Sequence, residues 1–224
     1  MQNPWVTIWT EPRMTIQRVI AENPNKCLWW LASIYGFSSL LNSFQSMALG
    51  DQVGIVGLLG LAIVLSWIWG YVIFSVWSWV VYGIGKIFRG KGTFQQVRAA
   101  YAWSCVPLLF NCALWIFLIV LFGPALFSNV AQDQLLTNGQ STLLFVVLIA
   151  KVILAIWALV IYLNALSEVQ QYSILRTIGN VLVAGLLAGF VLGLVWNFSI
   201  QMVGSTIETS NTAFQIIKSC GGSL

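Results

Sequence analysis

The sequence predicts an all-α, polytopic membrane protein. It is read as five transmembrane helices, an N-terminal interfacial amphipathic helix and a short cytoplasmic helix before the third span. Three observations carry this reading. Of 224 residues, 59% are hydrophobic and 7% are charged, with a mean hydropathy of +0.87. A soluble domain carries about 25% charged residues, so this chain cannot cover a water-facing globule. Five apolar stretches are long enough to cross a hydrocarbon core of about 30 Å, which takes roughly 20 helical residues. Those stretches, such as Leu114 to Phe122, run unbroken, whereas membrane barrel strands alternate apolar and polar residues.

Each element follows in order. From Glu11 to Glu22, Ile16, Val19 and Ile20 recur at helical spacing while Arg13, Gln17 and Arg18 face away. Thr10 is placed to cap this helix, Pro12 suits its first turn, and Asn23-Pro24 ends it. With Trp5 and Trp9 just before it, it reads as a helix on the membrane surface. The first span runs from about Cys27 to Leu49. Twenty-six residues precede it and no small-residue cleavage pattern follows a short apolar core, so it is expected to remain as a span. The second runs from about Val53 to Tyr82, long enough for one tilted helix or two pieces. After the Gly90-Lys91-Gly92 turn, Thr93 and Gln96 form a capping box for a helix reaching about Ser104, with Phe94, Val97 and Tyr101 on one face. Pro107 lacks a backbone donor, so the chain should break or kink there. Spans three to five run from about Pro107 to Phe127, Leu143 to Leu166 and Ile178 to Val203. The expected organisation is a cytoplasmic segment over 1–26, a membrane domain over 27–204 and a non-cytoplasmic tail over 205–224.

Orientation follows from the basic residues of the loops. Arg13, Arg18, Lys26, Lys86, Arg89, Lys91, Arg98 and Arg176 fall on one side, Lys218 on the other, and Lys151 within a span. Short cytoplasmic loops are enriched in Lys and Arg, so the amino terminus is expected in the cytoplasm and the carboxyl terminus outside it. Trp29, Trp30, Trp77, Trp79 and Trp103 fall at the same predicted boundary, where an amphipathic ring is favoured. The net charge of +4 is thus a topology signal, and no nucleic-acid partner is expected, since a basic patch for one would be larger and lie outside spans.

Catalysis and cofactors find little footing. There is no His, which excludes imidazole ligands and Ser-His or Cys-His chemistry. No metal-protease, nucleophile-elbow, phosphate-loop or dinucleotide motif occurs. The four Cys do not make a disulfide scaffold, and Cys105 and Cys112 read as buried small hydrophobes. Cys27 lies at the boundary, where it could accept an acyl chain. No catalytic residue, cofactor or metal site is therefore assigned.

The candidate residues are polar groups in and beside the spans. Lys151 lies about 12 Å into the fourth span at 1.5 Å per residue. It either faces the protein interior, with Asp133 or Asp51 as partner, or snorkels to the outer surface. Ser39, Asn42, Ser43 and Ser46 share one face of the first span, and Asn111, Asn164, Asn197 and Gln201 add amides elsewhere. These groups either bond across helices or line a wet groove. Glu168, Arg176, Arg98 and Lys91 share the cytoplasmic side and are expected to form an ion-pair network, with a proton-handling role for Glu168 as the alternative. Gly185, Gly189 and Gly193 form a GxxxGxxxG face in the fifth span, suited to close helix packing in the bundle or in a homodimer.

Three stretches carry a family resemblance: GKIFRGKGTFQQVRAAYAWSCVPLLFN around Lys86, NALSEVQQYSILRTIGNVLVAGLL from Asn164 to Leu187, and WTEPRMTIQRVIAENP from Trp9 to Pro24. Together they resemble the Yip-one (Ypt-interacting protein) domain family, the last resembling the start of bacterial members. The resemblance implies five spans, a cytosolic amino terminus and, for a bacterial member, the inner membrane. Eukaryotic relatives sit in Golgi and endoplasmic-reticulum membranes with Rab-type small GTPases. This chain lacks their long amino-terminal region and Asp-Leu-Tyr-Gly-Pro motif, so GTPase binding is not carried over. The expected function is non-enzymatic membrane organisation or trafficking-like scaffolding through partner proteins. The alternative is a small transporter, channel or lipid-handling protein using the polar residues of the spans. Expected partners are the lipid bilayer and other membrane proteins or further copies of the chain.

Overall fold

A computed structural model describes residues 3–128, 138–195 and 197. The chain divides into two compact units, Met1–Asn180 and Val181–Leu224, and the packing discussed below lies within the first. Eight α-helices are described: α1 Pro4–Thr7, α2 Pro12–Glu22, α3 Leu28–Ser46, α4 Ile55–Ile87, α5 Phe94–Ser104, α6 Leu109–Phe122, α7 Asn138–Gln170 and α8 Ile174–Val195. No strand occurs among the described residues. The tail expected over 205–224, the end of the expected fifth span and Asp133 lie outside the described residues.

Four stretches are long and apolar enough to cross a membrane: α4, α6 with its flanking 3₁₀ turns (Val106–Phe127), α7 and α8. The expected second span is one unbroken helix of 33 residues, about 50 Å at 1.5 Å per residue. The expected first span folds as α3 and, at 19 residues, is long enough. Its five serines, Asn42 and Gln45 dilute its hydropathy, and it is not one of the four. The outer faces of α4 and α7 are apolar and exposed, as at Val56, Val64, Val76, Phe145 and Ile153, which is the surface a helix turns toward lipid.

The ends of the helices follow local rules with two departures. Thr93 and Gln96 make the expected capping box, the Gln96 side chain accepting from Thr93 N at 2.9 Å. Pro107 sits in a 3₁₀ turn, Val106–Leu108, that separates α5 from α6. Thr10, however, does not cap α2: Glu11 occupies that position and makes no side-chain cap. Asn3 instead caps a short unforeseen helix, α1, by accepting from Trp5 N at 3.1 Å.

α2 is amphipathic as expected, but its apolar face meets protein. Thr15, Ile16 and Val19 are buried where α2 packs on α7 and α5. Trp5 rests on Trp103, ring centroids 5.2 Å apart, and Trp9 meets Phe110 edge-on at 5.8 Å. Trp103 is 1% exposed, so it is a core residue and not a boundary anchor, whereas Trp29, Trp30 and Trp79 are exposed. Toward the opposite end of α4, Leu41, Phe44, Leu58, Trp115, Leu118 and Phe127 form a second core. α5, α2 and the last turns of α7 together make a cap around one end of the helices.

Candidate functional site

The cap is organised by two helix-ending turns of the same kind. After α4, Gly90 N donates to Gly85 O at 2.7 Å and Arg89 N to Lys86 O at 3.0 Å. After α7, Tyr172 N donates to Ser167 O at 3.3 Å and Gln171 N to Glu168 O at 3.4 Å. This pairing satisfies the last carbonyls of a helix and requires a left-handed residue, usually Gly. Here Arg89 (φ 63°) and Gln171 (φ 57°) take that conformation. The two turns are joined, since Lys91 N donates to Gln170 O at 3.1 Å.

The Gln170 side chain is fully buried at this junction. Gly85, Gly90 and Gly92 surround it: a Cβ on Gly90 would come within 2.8 Å of Gln170 Cδ, and one on Gly92 within 2.8 Å of Val169 Cγ1. Side chains there would take the space that Gln170 fills. Asn180 is buried on the same side of Gly85, and its Nδ2 donates to Tyr172 Oη at 2.5 Å. Burial pushes the Tyr172 phenol up, and the Asn180 hydrogen bond pulls it the other way.

A cleft of about 360 Å³ opens beside these turns. Ile16, Ile20 and Val169 give it an apolar part, and Gln17, Lys91, Gln96, Glu168 and Gln171 give it polar walls. Its two sides are tied by Gln17 Nε2, which donates to Glu168 Oε1 at 2.5 Å across α2 and α7. Gln171 Nε2 donates to Glu168 O at 2.9 Å. Lys91 and Glu168 therefore share one cleft.

The expected ion-pair network is replaced by neutral partners. Among the described residues no ion pair is seen between any two of Glu168, Arg176, Arg98 and Lys91; Lys26 and Glu22 pair on the exposed end of α2. Glu22 holds the Lys26 ammonium above its usual range, first through the hydrogen bond and then through its charge. Arg98 is buried. It donates from Nη1 to Tyr71 Oη at 2.8 Å and from Nη2 to Asn25 Oδ1 at 2.9 Å. Its guanidinium also lies over the Tyr71 and Phe94 rings, 5.2 and 5.3 Å from their centroids. Arg98 thus fastens the α2–α3 linker to α4 and α5. Arg176 is exposed.

The expected polar site within the spans does not assemble. Asn42 and Ser46 are exposed, and the stripe bonds mostly to its own helix: Asn42 Nδ2 to Ser38 O at 2.8 Å, Ser43 Oγ to Ser39 O at 3.2 Å and Ser46 Oγ to Ser43 O at 2.8 Å. One bond crosses helices, from Trp69 Nε1 to Ser39 Oγ at 3.3 Å. Lys151 Nζ lies over the buried Trp115 ring, 4.2 Å from its centroid. Asp133, one of the two partners expected for Lys151, lies outside the described residues. Asn111 is half-buried, and its Oδ1 has no hydrogen-bond partner among the described residues. No hydrogen bond joins any two of Asn42, Asn111 and Lys151.

Gly185, Gly189 and Gly193 are exposed on α8, and a Cβ built on any of them meets open space. A close helix approach of the kind expected there is found between α3 and α4. A Cβ on Gly36 would lie 2.8 Å from Gly70 N, and one on Gly70 would lie 2.6 Å from the Ala32 carbonyl carbon. Sequence reading passed over this crossing. Its mark is Ala32-xxx-Gly36 facing Ala62-xxx-Ser66-xxx-Gly70, the small-residue spacing that lets backbones meet.

Long apolar helices, outward apolar faces and a polar cap at one end define an integral membrane protein of the helical class. The sequence matches the Yip1 domain over residues 6–197, so the chain belongs to the Yip1 domain family. Comparisons with the curated proteins and with the solved structures find no match.

Proposed function

We propose that this Yip1-domain protein is a non-enzymatic membrane scaffold whose cap docks a segment of a partner protein. The observation that carries the proposal is the cleft of Gln17, Lys91, Gln96 and Glu168. Three elements far apart in sequence build it: the buried Gln170 junction ties the Lys91 turn to α7, and the Gln17–Glu168 hydrogen bond ties α2 to α7. Its apolar floor and oppositely charged rims suit an amphipathic peptide segment, for which a few anchored side chains supply most of the affinity. The Asn42 and Ser43 side chains, in contrast, are bonded within their own helix and Lys151 is seated on an aromatic ring, which disfavours the transport reading.

In this reading α3 is the fifth span. Its 19 residues reach about 28 Å, close to a hydrocarbon core of about 30 Å. Its outward hydroxyls bond back to their own carbonyls, which lowers the cost of facing lipid. The excess of Lys and Arg beside the cap supports a cytoplasmic cap and amino terminus and a carboxyl terminus on the other side. The membrane is the inner membrane of a bacterium.

Photocrosslinking in native membranes tests the proposal. A photoreactive residue at Gln96 should give one discrete adduct, and Ile20→Asp should remove it. Equal diffuse labelling from Gln96 and from the lipid-facing Val64 would overturn it.

A further inference from the structure

Two further clefts meet at Trp9. One, of about 470 Å³, is an apolar groove between Trp5, Trp9, Leu109, Phe110 and Ala113. The other, of about 370 Å³, changes character along its length. Glu11, Arg13 and Asn164 form its polar end, and Trp157, Val160 and Ile161 its apolar end. Asn164 and Trp157 are seven residues apart on α7, about 10 Å along the axis. That is the kind of step a membrane lipid makes from its charged headgroup to its chains.

The polar end is arranged in advance. Asn164 Nδ2 donates to Val160 O at 2.9 Å, which points its Oδ1 toward Arg13, and Arg13 Nε donates to that oxygen at 3.2 Å. The terminal nitrogens of Arg13 make no hydrogen bond among the described residues. A guanidinium held by Nε presents those two nitrogens as a fork that matches two phosphate oxygens. Glu11 stands two residues away on the same wall. Together they give the site one positive and one negative group. Trp9, packed edge-on against Phe110, forms the ridge between the headgroup cleft and the apolar groove.

We infer that these joined clefts bind one phospholipid with a primary-ammonium headgroup, phosphatidylethanolamine. Arg13 takes the phosphate, Glu11 takes the ammonium, and an acyl chain crosses Trp9 into the groove of Leu109, Phe110 and Ala113. An anionic headgroup without an ammonium would leave Glu11 facing uncompensated negative charge, so the pair selects for the zwitterion. This lipid ties the amino-terminal segment to α6 and α7. It is a separate site from the partner cleft.

Native mass spectrometry of the full-length protein in detergent tests the inference, with dioleoyl-phosphatidylethanolamine, dioleoyl-phosphatidylglycerol or dioleoylglycerol added. The phosphatidylethanolamine adduct should form about tenfold more tightly than the dioleoylglycerol adduct, the effect of one charge-assisted contact. Arg13→Gln should remove that advantage, Arg13→Lys should keep part of it, and Arg176→Gln should not change it. Glu11→Gln should equalise phosphatidylethanolamine and phosphatidylglycerol. Ala113→Trp, which fills the groove and leaves the polar end intact, should weaken all three lipids. Thermal unfolding of each variant checks that it is folded. Equal binding of dioleoylglycerol and phosphatidylethanolamine, or an Arg13→Gln effect no larger than that of Arg176→Gln, would overturn the phosphate assignment. An unchanged lipid preference in Glu11→Gln would overturn the ammonium assignment.

Discussion

Gly36→Ala adds one methyl group where α3 and α4 cross. That methyl would sit 2.8 Å from Gly70 N and 2.9 Å from the Ser66 carbonyl carbon, with the Ser66 oxygen nearer still. All three atoms are backbone atoms of a helix, so no rotamer change relieves the contact and the helices must separate. Overpacking of this kind costs typically about 1–3 kcal/mol. Against it stands the gain of replacing Gly by Ala in a helix interior, about 1 kcal/mol. Gly60→Ala is the matched control, because a Cβ there meets nothing within 4 Å and only the gain applies. The two variants should therefore differ by the overpacking cost alone. In a protein of this size 1 kcal/mol moves the unfolding midpoint by about 2–4 °C. Temperature-ramped size exclusion in one detergent resolves a difference of that size. Gly36→Ala should unfold several degrees below Gly60→Ala, and Gly189→Leu, in open space, should unfold near the parent. If Gly36→Ala unfolds with or above Gly60→Ala, the close crossing of α3 and α4 is refuted.

Three other outcomes are expected. Lys151→Met removes a cation–π contact of about 0.5–2 kcal/mol and replaces an ammonium with an apolar group, so the two effects oppose. Stability in detergent should change by no more than about 1 kcal/mol, and a loss near the 3–5 kcal/mol of a broken buried ion pair would instead indicate a carboxylate partner for Lys151. Arg98→Lys keeps the charge but loses the fork that reaches Tyr71 and Asn25 together, and thermal unfolding should show a cost of about 1.5–3 kcal/mol; parent-like stability would contradict the fastening role. The Cys105 thiol is buried and desolvation pushes it up to about 12, so it stays neutral where an ordinary thiol near 8.5 is half ionised. Iodoacetamide at pH 8.5 should leave Cys105 unmodified in the folded protein and modify it after denaturation, read by peptide mass spectrometry, whereas modification in the fold would show the site to be open.

What the sequence made legible was whatever a single helix decides by itself. The capping box of Thr93 and Gln96, the break at Pro107 and the buried face of Ile16 and Val19 each depend on a few neighbouring residues, and each is present. Partner identities were not legible, because they depend on which helix faces which. The indole of Trp115 beneath Lys151 has no mark in the sequence near that lysine. Glu168 was expected to pair with a cation and accepts from Gln17, on a helix 151 residues away in the chain. Asn42 was expected to turn inward, yet a backbone carbonyl four residues back satisfies it on the outside. The glycine pattern was recognised where it is most regular, on α8. The close crossing of α3 and α4 uses the less regular Ala32, Gly36, Ser66 and Gly70. Gln170 was legible only as part of a family-like stretch, with no role of its own. A lone glutamine at the end of a helix has no pattern, and only its collar of Gly85, Gly90 and Gly92 gives it meaning.

The scaffold reading places function in the cap, and the transport reading places it in the polar residues of the spans. One measurement separates them most directly: the yield of the Gln96 photoadduct in native membranes, compared across Glu168→Lys, Asn42→Leu and Lys151→Met. Glu168 accepts from Gln17 across the cleft, whereas Asn42 and Lys151 lie outside it. Glu168→Lys should abolish the adduct, and Asn42→Leu and Lys151→Met should leave it at the parent level. An adduct that survives Glu168→Lys, or one lost equally in Lys151→Met, would contradict it.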